Sequence, residues 1–371
     1  MTIPLVVILW LLSCALPSSE VFAESRDTLL ERVAWDAIKN GKLDEASRLF
    51  ADAIARRPHD ASLRLGAGLA EHLQGHTERA RISLEEALRL DPALTPASQL
   101  LGEIFYRDGA VDHAIRVYEA ALPFASNKAQ MQTKLETWRK EAALHGNFQR
   151  RLNAHFTVLF EGPREQELAD AALRVLESAY WRIGMALAAY PPSIITVILY
   201  TEEQFHDITR SPSWAGGVYD GKIRIPMRDA LSNLPQLEKV LAHEFTHALV
   251  ESLSPRRTPI WLNEGLAVVF ENGELTWAEQ IVRSAPAVLP LSRLHESFLN
   301  LPSDQVPLAY AESALAVRML LDRSGPLALA MLLKDLNAGQ EFAAAFERYY
   351  TWSYLEFQSV WHESITRTGS P

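Results

Sequence analysis

The sequence predicts two folded parts: an α-helical solenoid, followed by an α+β domain that ends in a helical lobe. The solenoid is predicted by a repeating pattern of small and large apolar residues through residues 27–126. The α+β domain is predicted by short β-branched segments and a turn signal at Asp220-Gly221, with helical patterns after it. A chain of 371 residues is long enough for two or three domains.

Composition places the chain among ordinary folded proteins. Its apolar content of 48% supports packed cores, and 22% charged residues with 9% aromatics argue against disorder. The formal net charge is −10, so the chain as a whole lacks the basic footprint of a nucleic-acid-binding protein. We therefore expect no nucleic-acid partner.

The N-terminus has the pattern of an export signal. An apolar stretch from Ile3 to Leu16 is too short to span a bilayer comfortably, and Val21-Phe22-Ala23 resembles a cleavage site. Residues 1–23 are therefore predicted to be a signal peptide, although no Lys or Arg precedes the apolar stretch. The alternatives are a lipoprotein anchored through Cys14, the only cysteine, or a retained anchor. We expect an exported, periplasmic protein with no transmembrane span in the mature chain.

The repeat is defined by columns of residues that recur at a constant spacing. Ala46, Ala80 and Ala114 are 34 residues apart, and a large residue follows each of them four positions later. Small residues let two helices of a hairpin approach closely, and large residues fill the seam between hairpins. The further columns are Phe50, Leu84 and Tyr118; Ala53, Ala87 and Ala121; Ala34, Gly68 and Gly102; and the turn glycines Gly41, Gly75 and Gly109.

These columns resemble tetratricopeptide (TPR) repeats, three of them over residues 24–126. The resemblance implies a concave groove that binds peptides or a protein partner; the alternative is that the repeats only brace the following domain. The end of a solenoid must be covered. Residues 127–150 are therefore predicted to form a capping and linker helix, and residues 151–371 the second domain.

The second domain is predicted to begin with strands and to continue with helices. The segments 155–160 and 194–200 have strand patterns, and residues 164–189 between them have a helical one. Asp220-Gly221 predicts a hairpin. From Leu308 onward the pattern is that of a long apolar helix and further terminal helices.

The segment His243-Glu244-Phe245-Thr246-His247 carries the strongest chemical signal. Residues four apart lie on one face of a helix, so His243 and His247 can point two imidazoles at one metal ion. Catalytic zinc needs three protein ligands and an open position, and Glu264 on the next helix is the natural third ligand. Thr258 is predicted to cap that helix, with Pro259 at its first position. The alternative is a structural remnant that holds no metal.

The HExxH segment and the downstream Asn263-Glu264-Gly265-Leu266-Ala267 together resemble the gluzincin clan of zinc metallopeptidases, specifically its small MA-like domains. The resemblance covers roughly residues 154–345. It implies that His243, His247 and Glu264 bind Zn²⁺ and that Glu244 acts as general base. In the gluzincin fold an edge strand beside the cleft pairs with the substrate backbone, and residues 217–219 or 223–225 are the two candidates for it.

Peptidases of this clan often stabilise the oxyanion with a Tyr or His from the C-terminal lobe. The candidates here are Tyr310, His295 and Tyr349, of which Tyr310 is preferred. Asn263 is expected to hydrogen-bond nearby backbone and is given no catalytic role.

The function implied is that of an exported zinc-dependent endopeptidase, with the repeats binding a peptide, an unfolded protein substrate or a protein partner. The segment ahead of the HExxH helix lacks the GxMEN-like stretch of aminopeptidases, which favours an endopeptidase. The first alternative is a non-catalytic TPR binding or assembly protein with a peptidase-like scaffold. The second is an envelope assembly factor that both binds clients and cleaves failed ones.

Overall fold

The computed structural model describes residues 26–211, 216–227, 233–255, 258–271 and 273–367. The predicted signal peptide, residues 1–23, lies outside them. The chain divides into two compact units after Asn147. Among the described residues, no helix is both long and apolar enough to cross a membrane.

The first unit contains three helical hairpins followed by a longer helix, in agreement with the predicted solenoid. Each hairpin turns at a glycine: Gly41, Gly75 and Gly109 have φ of 72°, 81° and 80°, a region that L-residues with side chains rarely adopt. The helices are α1 (Arg26–Lys39), α2 (Leu43–Arg56), α3 (Ala61–Leu73), α4 (Thr77–Leu90), α5 (Thr95–Arg107), α6 (Val111–Ala121) and α7 (Lys128–His145).

The small residues of the repeat lie where two helices of one hairpin meet. A methyl group placed on Gly68 would lie 2.8 Å from Cγ of Leu84, and one on Gly102 would lie 2.4 Å from Cε2 of Tyr118. Both distances are shorter than any ordinary carbon–carbon contact. Small residues in the first helix therefore make room for the large residues of the second, as the sequence pattern predicts.

Helix α7 covers the end of the solenoid. Trp138 is buried, and its ring centroid lies 4.9 Å from that of Tyr106 and 4.4 Å from that of Tyr118. The hydroxyl of Tyr106 donates a hydrogen bond to the buried Glu141 carboxylate. Aromatic packing and the hydrogen bond to the buried Glu141 thus hold α7 to the last hairpin.

The second unit is built on one mixed sheet with strand order β1-β2-β3-β5-β4. The inner pairs β2–β3 and β3–β5 are parallel, and both edge strands are antiparallel to their neighbours. The Asp220-Gly221 hairpin is confirmed as the turn between β4 and β5, whereas β1 is a strand that the sequence analysis missed. The strands are β1 (Gln149–Leu152), β2 (Phe156–Phe160), β3 (Ile195–Tyr200), β4 (Val218–Tyr219) and β5 (Ile223–Pro226).

Strand β4 is at an edge of the sheet, and β5 is enclosed between β3 and β4. Of the two candidate edge segments, only the one around Val218–Tyr219 is therefore at an edge. Helix α10 packs against both β4 and β5. This packing brings the edge of the sheet next to the helix that carries the HExxH segment.

Helices form the remainder of the second unit. Long helix α13 has non-helical backbone at Gly325, immediately before Pro326, so it consists of two helical segments joined at that point. The helices are α8 (Gln166–Leu187), α9 (Glu202–Thr209), α10 (Leu234–Leu253), α11 (Ile260–Phe270), α12 (Thr276–Ser284), α13 (Val306–Asn337), α14 (Phe342–Tyr349) and α15 (Tyr354–Arg367).

The N-terminus of α11 differs from the prediction. The helix begins at Ile260, and Pro259 occupies the capping position without a side-chain hydrogen bond. The Thr258 hydroxyl is buried and has no hydrogen-bond partner among the described residues. The predicted Thr258 cap is therefore wrong, because the helix starts one residue later than the Thr-Pro pattern suggests.

Helices α11 and α13 are in very close contact at Gly265. A methyl group placed on Gly265 would lie 2.3 Å from the backbone oxygen of Ser313 and 2.6 Å from Cγ2 of Val317. The glycine that follows Glu264 is thus a packing requirement, since only a residue without a side chain lets the two helices approach this closely.

A buried carboxyl group on α13 forms a hydrogen bond with the segment that precedes the helix. Oε1 of Glu312 accepts a hydrogen bond of 2.8 Å from the backbone N–H of Leu289, while Oε2 is buried with no partner among the described residues. Burial raises the pKa of Glu312 from its ordinary value of 4.5 to about 7, although the Leu289 N–H partly opposes this rise.

We predict that Glu312→Gln changes the pH dependence of stability. An acid whose pKa is higher in the folded than in the unfolded chain lowers the free energy of unfolding once the pH exceeds the pKa of the unfolded chain. For Glu312 this loss is complete above pH 7. Gln keeps the acceptor but carries no charge. Relative to wild type, the free energy of unfolding of the variant should therefore rise by on the order of 2 kcal/mol from pH 5 to pH 8.

Chemical denaturation of metal-free protein at the two pH values measures this difference. Exposed Glu296, changed to Gln in parallel, controls for the loss of one negative charge. A difference between Glu312→Gln and wild type that stays constant with pH contradicts the prediction.

Candidate metal centre

Helices α10 and α11 bring together the three residues predicted to bind a metal. One ligand atom from each of His243, His247 and Glu264 lies within 4.8 Å of the other two. Oε2 of Glu264 is 3.6 Å from Nε2 of His243 and also 3.6 Å from Nε2 of His247. The one-turn spacing of the histidines places their rings edge to face, with centroids 4.7 Å apart and planes at 82°.

Two further side chains fix the orientation of the imidazoles. Nδ1 of His243 donates a hydrogen bond of 2.8 Å to Oε1 of Glu271, and Nδ1 of His247 donates one of 3.1 Å to Oδ1 of Asn263. A carboxylate and an amide oxygen only accept, so each Nδ1 carries its proton. The Nε2 atoms, free to act as ligands, therefore face Glu264. This arrangement is typical of metal-binding histidines.

The three donor atoms fit a zinc ion. Zinc bonds of about 2.0–2.1 Å at tetrahedral angles place two ligand atoms about 3.3 Å apart. The observed Glu264-to-histidine separations of 3.6 Å are close to that value. Oε2 of Glu264 is moreover buried without a hydrogen-bond partner among the described residues. A buried carboxylate oxygen without a partner is costly, and a cation between the two Nε2 atoms would satisfy it.

The charges around this point also favour a cation. Burial opposes ionisation of Glu264, but the two neighbouring histidines hold its pKa below the ordinary value. Burial likewise opposes protonation of His243, yet the adjacent carboxylates of Glu264 and Glu271 and the nearby Glu244 charge raise its pKa to about 10. In the metal-free protein a proton thus supplies the positive charge that these carboxylates require.

The proposed base lies in the same buried environment. Glu244 is 6% exposed, and its charge interacts with those of His243, Glu264 and Glu271. Burial raises the pKa of Glu244 to about 7. A carboxyl group whose pKa is near neutral can both accept and return a proton, which is what a general base and acid must do.

A family model for the Peptidase MA superfamily matches residues 178–367, and one for tetratricopeptide repeats matches residues 34–95. The chain belongs to the Peptidase MA superfamily. No curated protein matches it. The superfamily match covers the HExxH helix, Glu264 and most of the helical lobe, and it indicates a peptidase-type domain. The cluster of two histidines and a glutamate that could hold a metal ion lies within the matched residues.

In this superfamily member the three oxyanion candidates have different surroundings. Tyr310, near the start of α13, interacts with Glu264 and Glu244, and burial together with these charges raises the pKa of its hydroxyl. Nε2 of His295 is 2.6 Å from the hydroxyl of Tyr354, and the hydroxyl of Tyr349 donates to Asp335. Tyr310 is thus the candidate that lies beside the metal-binding residues.

Sequence reasoning missed the two residues that orient the histidines. Asn263, which the sequence analysis predicts to hydrogen-bond backbone, instead accepts a hydrogen bond from His247. Glu271, the acceptor for His243, lies seven residues after Glu264 and therefore on the same helical face. That spacing is the signal that identifies it.

An open cavity of ≈ 540 Å³ lies elsewhere in the helical lobe, between α12, α13 and α15. Its lining residues include Arg318, Met319, Trp352 and Trp361 and none of the predicted metal or catalytic residues. This cavity is therefore separate from the metal centre, which is recognised by its three convergent donor atoms.

We predict that Glu271→Ala weakens metal binding, because His243 loses the acceptor that fixes its ring. Removing a partner of this kind typically costs 10–100-fold in metal affinity. Glu271→Gln keeps an acceptor oxygen and should lose less. Competition with a chromophoric chelator measures both zinc affinities, and wild-type affinity in Glu271→Ala would contradict the assignment.

Proposed function

We propose that this protein is an exported zinc-dependent endopeptidase whose TPR repeats bind a substrate or a partner protein. The observation that carries the proposal is the set of three convergent donors at His243, His247 and Glu264, with the buried Glu244 carboxyl group beside them. Two histidines and a carboxylate with an open fourth position are the ligand set of a catalytic zinc site.

His243, His247 and Glu264 would hold a zinc ion, which when bound would supply a Lewis acid that polarises a carbonyl group and acidifies water. Glu244 accepts the proton of the attacking water and later transfers it to the leaving amine. Its position next to His243 and its near-neutral pKa support both transfers. Glu264 would contribute one negative charge to the ligand set, and its pKa is held below the ordinary value by the two histidines already in the metal-free protein.

Tyr310 supplies a hydrogen-bond donor for the oxyanion that forms as the peptide carbonyl is attacked. Its raised pKa keeps the phenol protonated at neutral pH, which a donor requires. Its ring is held by Phe298, whose centroid lies 5.3 Å away at 86°. A pre-oriented donor of this kind stabilises charge as it develops, without reorganisation during the reaction.

Substrate binding is proposed at the edge of the sheet. Strand β4 is an edge strand next to α10, so an extended peptide can pair with its backbone. Main-chain pairing favours internal segments of a peptide or an unfolded protein, which supports endopeptidase activity. Export is proposed from the signal-like pattern of residues 1–23, with lipid attachment at Cys14 as the alternative.

We predict that Glu244→Gln abolishes hydrolysis while fold and zinc content are retained. The amide is nearly the same size as the carboxyl group but cannot accept the water's proton, so kcat/KM should fall by at least about 10²-fold. Cleavage of unfolded casein and of an internally quenched peptide library measures the loss.

Exposed Glu238 on the same helix, changed to Gln, is the matched control and should leave the rate unchanged. If Glu244→Gln cleaves as fast as wild type, Glu244 is not the base. If the zinc-loaded wild type cleaves neither probe, the non-catalytic scaffold is favoured.

A further inference from the structure

Two adjacent glycines precede the edge strand β4, and they face different side chains of α10. A methyl group placed on Gly217 would lie 2.8 Å from Oε1 and 2.9 Å from Cγ of Glu244. A methyl group on Gly216 would lie 3.2 Å from Cγ2 of Val240, a half-buried side chain one turn earlier. The base is thus packed directly against the α-carbon of Gly217.

Backbone conformation does not explain the glycine at position 217. The glycines with positive φ include Gly41, Gly75, Gly109 and Gly221, whereas Gly216 and Gly217 are not among them. Alanine is therefore free of backbone strain at both positions. What a side chain at 217 would meet is the Glu244 carboxyl group on one side and Cδ1 of Ile225, at 2.9 Å, on the other.

A side chain at position 217 would have to displace the Glu244 carboxyl group as well as the tip of Ile225. The carboxyl end of a glutamate rotates at low cost, but Glu244 is 6% exposed and has little free space into which to move. The shift needed to restore an ordinary contact is several tenths of an ångström or more. In a catalytic site, a misplacement of about 1 Å can cost on the order of 10²-fold in rate.

We propose that Gly217 is a positioning residue for the general base: the absence of a side chain there leaves the space in which the Glu244 carboxyl group is held beside the metal ligands. The proposal rests on the proposed peptidase function. The segment before β4 thus has a second role besides any pairing with substrate backbone. Gly217 borders the space that the Glu244 side chain occupies. Gly217 acts through Glu244 and is not itself catalytic.

Gly217→Ala and Gly216→Ala are compared in the zinc-loaded full chain, with casein and a quenched peptide as substrates. Gly217→Ala should lower kcat by about 10- to 100-fold with zinc content retained and KM changed much less. Gly216→Ala, which meets Val240 instead of the base, should keep kcat within about twofold. Equal rates in the two variants, or a loss confined to KM, would overturn the proposal.

A thermal-unfolding cycle on metal-free protein tests the same contact without activity. Gly217→Ala should lower Tm when Glu244 is present. In the Glu244→Ala background the conflict with the base is absent and only Cδ1 of Ile225 stays close, so Gly217→Ala should lower Tm much less than in the presence of Glu244. The same drop in both backgrounds would show that Gly217 serves the fold alone, and would overturn the proposal.

The two experiments separate the outcomes. If Gly217→Ala alone fails to fold but the double variant folds, the conflict with Glu244 is confirmed; if both fail, it is refuted. If wild type shows no hydrolysis, both the proposed function and the proposed effect of Gly217 on catalysis are wrong. The unfolding cycle still tests whether a side chain at position 217 conflicts with Glu244.

Discussion

The site depends on one constraint: the Glu264 carboxylate is ionised in a buried place, and its charge must be compensated. Its Oε2 atom lies between two imidazole Nε2 atoms at 3.6 Å and has no hydrogen-bond partner among the described residues. Glu271 and Asn263 direct the imidazoles to this point from behind. A cation at this point would compensate the charge of the Glu264 carboxylate, because its bonds to the three ligands offset the cost of desolvating the carboxylate.

The surrounding fold explains why these groups stay in place. Gly265 lets α11 lie directly on α13, which carries Tyr310 toward the ligands. On the other side, Gly217 lets the edge of the sheet reach α10 at Glu244. Two glycines therefore set how closely helix and sheet surround the centre, while the apolar packing of α10 supplies its rigidity.

Periodicity and motif spacing were enough to predict the helical repeats, the Asp220-Gly221 hairpin and the convergence of His243, His247 and Glu264. These features are local or depend on helical geometry, which the sequence expresses directly. Strand β1 was missed because its residues are mostly exposed and lack the alternation of a half-buried strand. Glu271 as a histidine partner and the contact between Gly217 and Glu244 depend on tertiary packing, which no local pattern encodes.

The most direct test of the central claim is the zinc content of the purified protein, measured by elemental mass spectrometry. Three convergent ligands predict about one zinc ion per chain, and Glu264→Ala should lose it or bind it far more weakly. The exposed Glu274, changed to Ala, should leave the content unchanged. Absence of zinc after reconstitution, or undiminished binding in folded Glu264→Ala, would contradict the account.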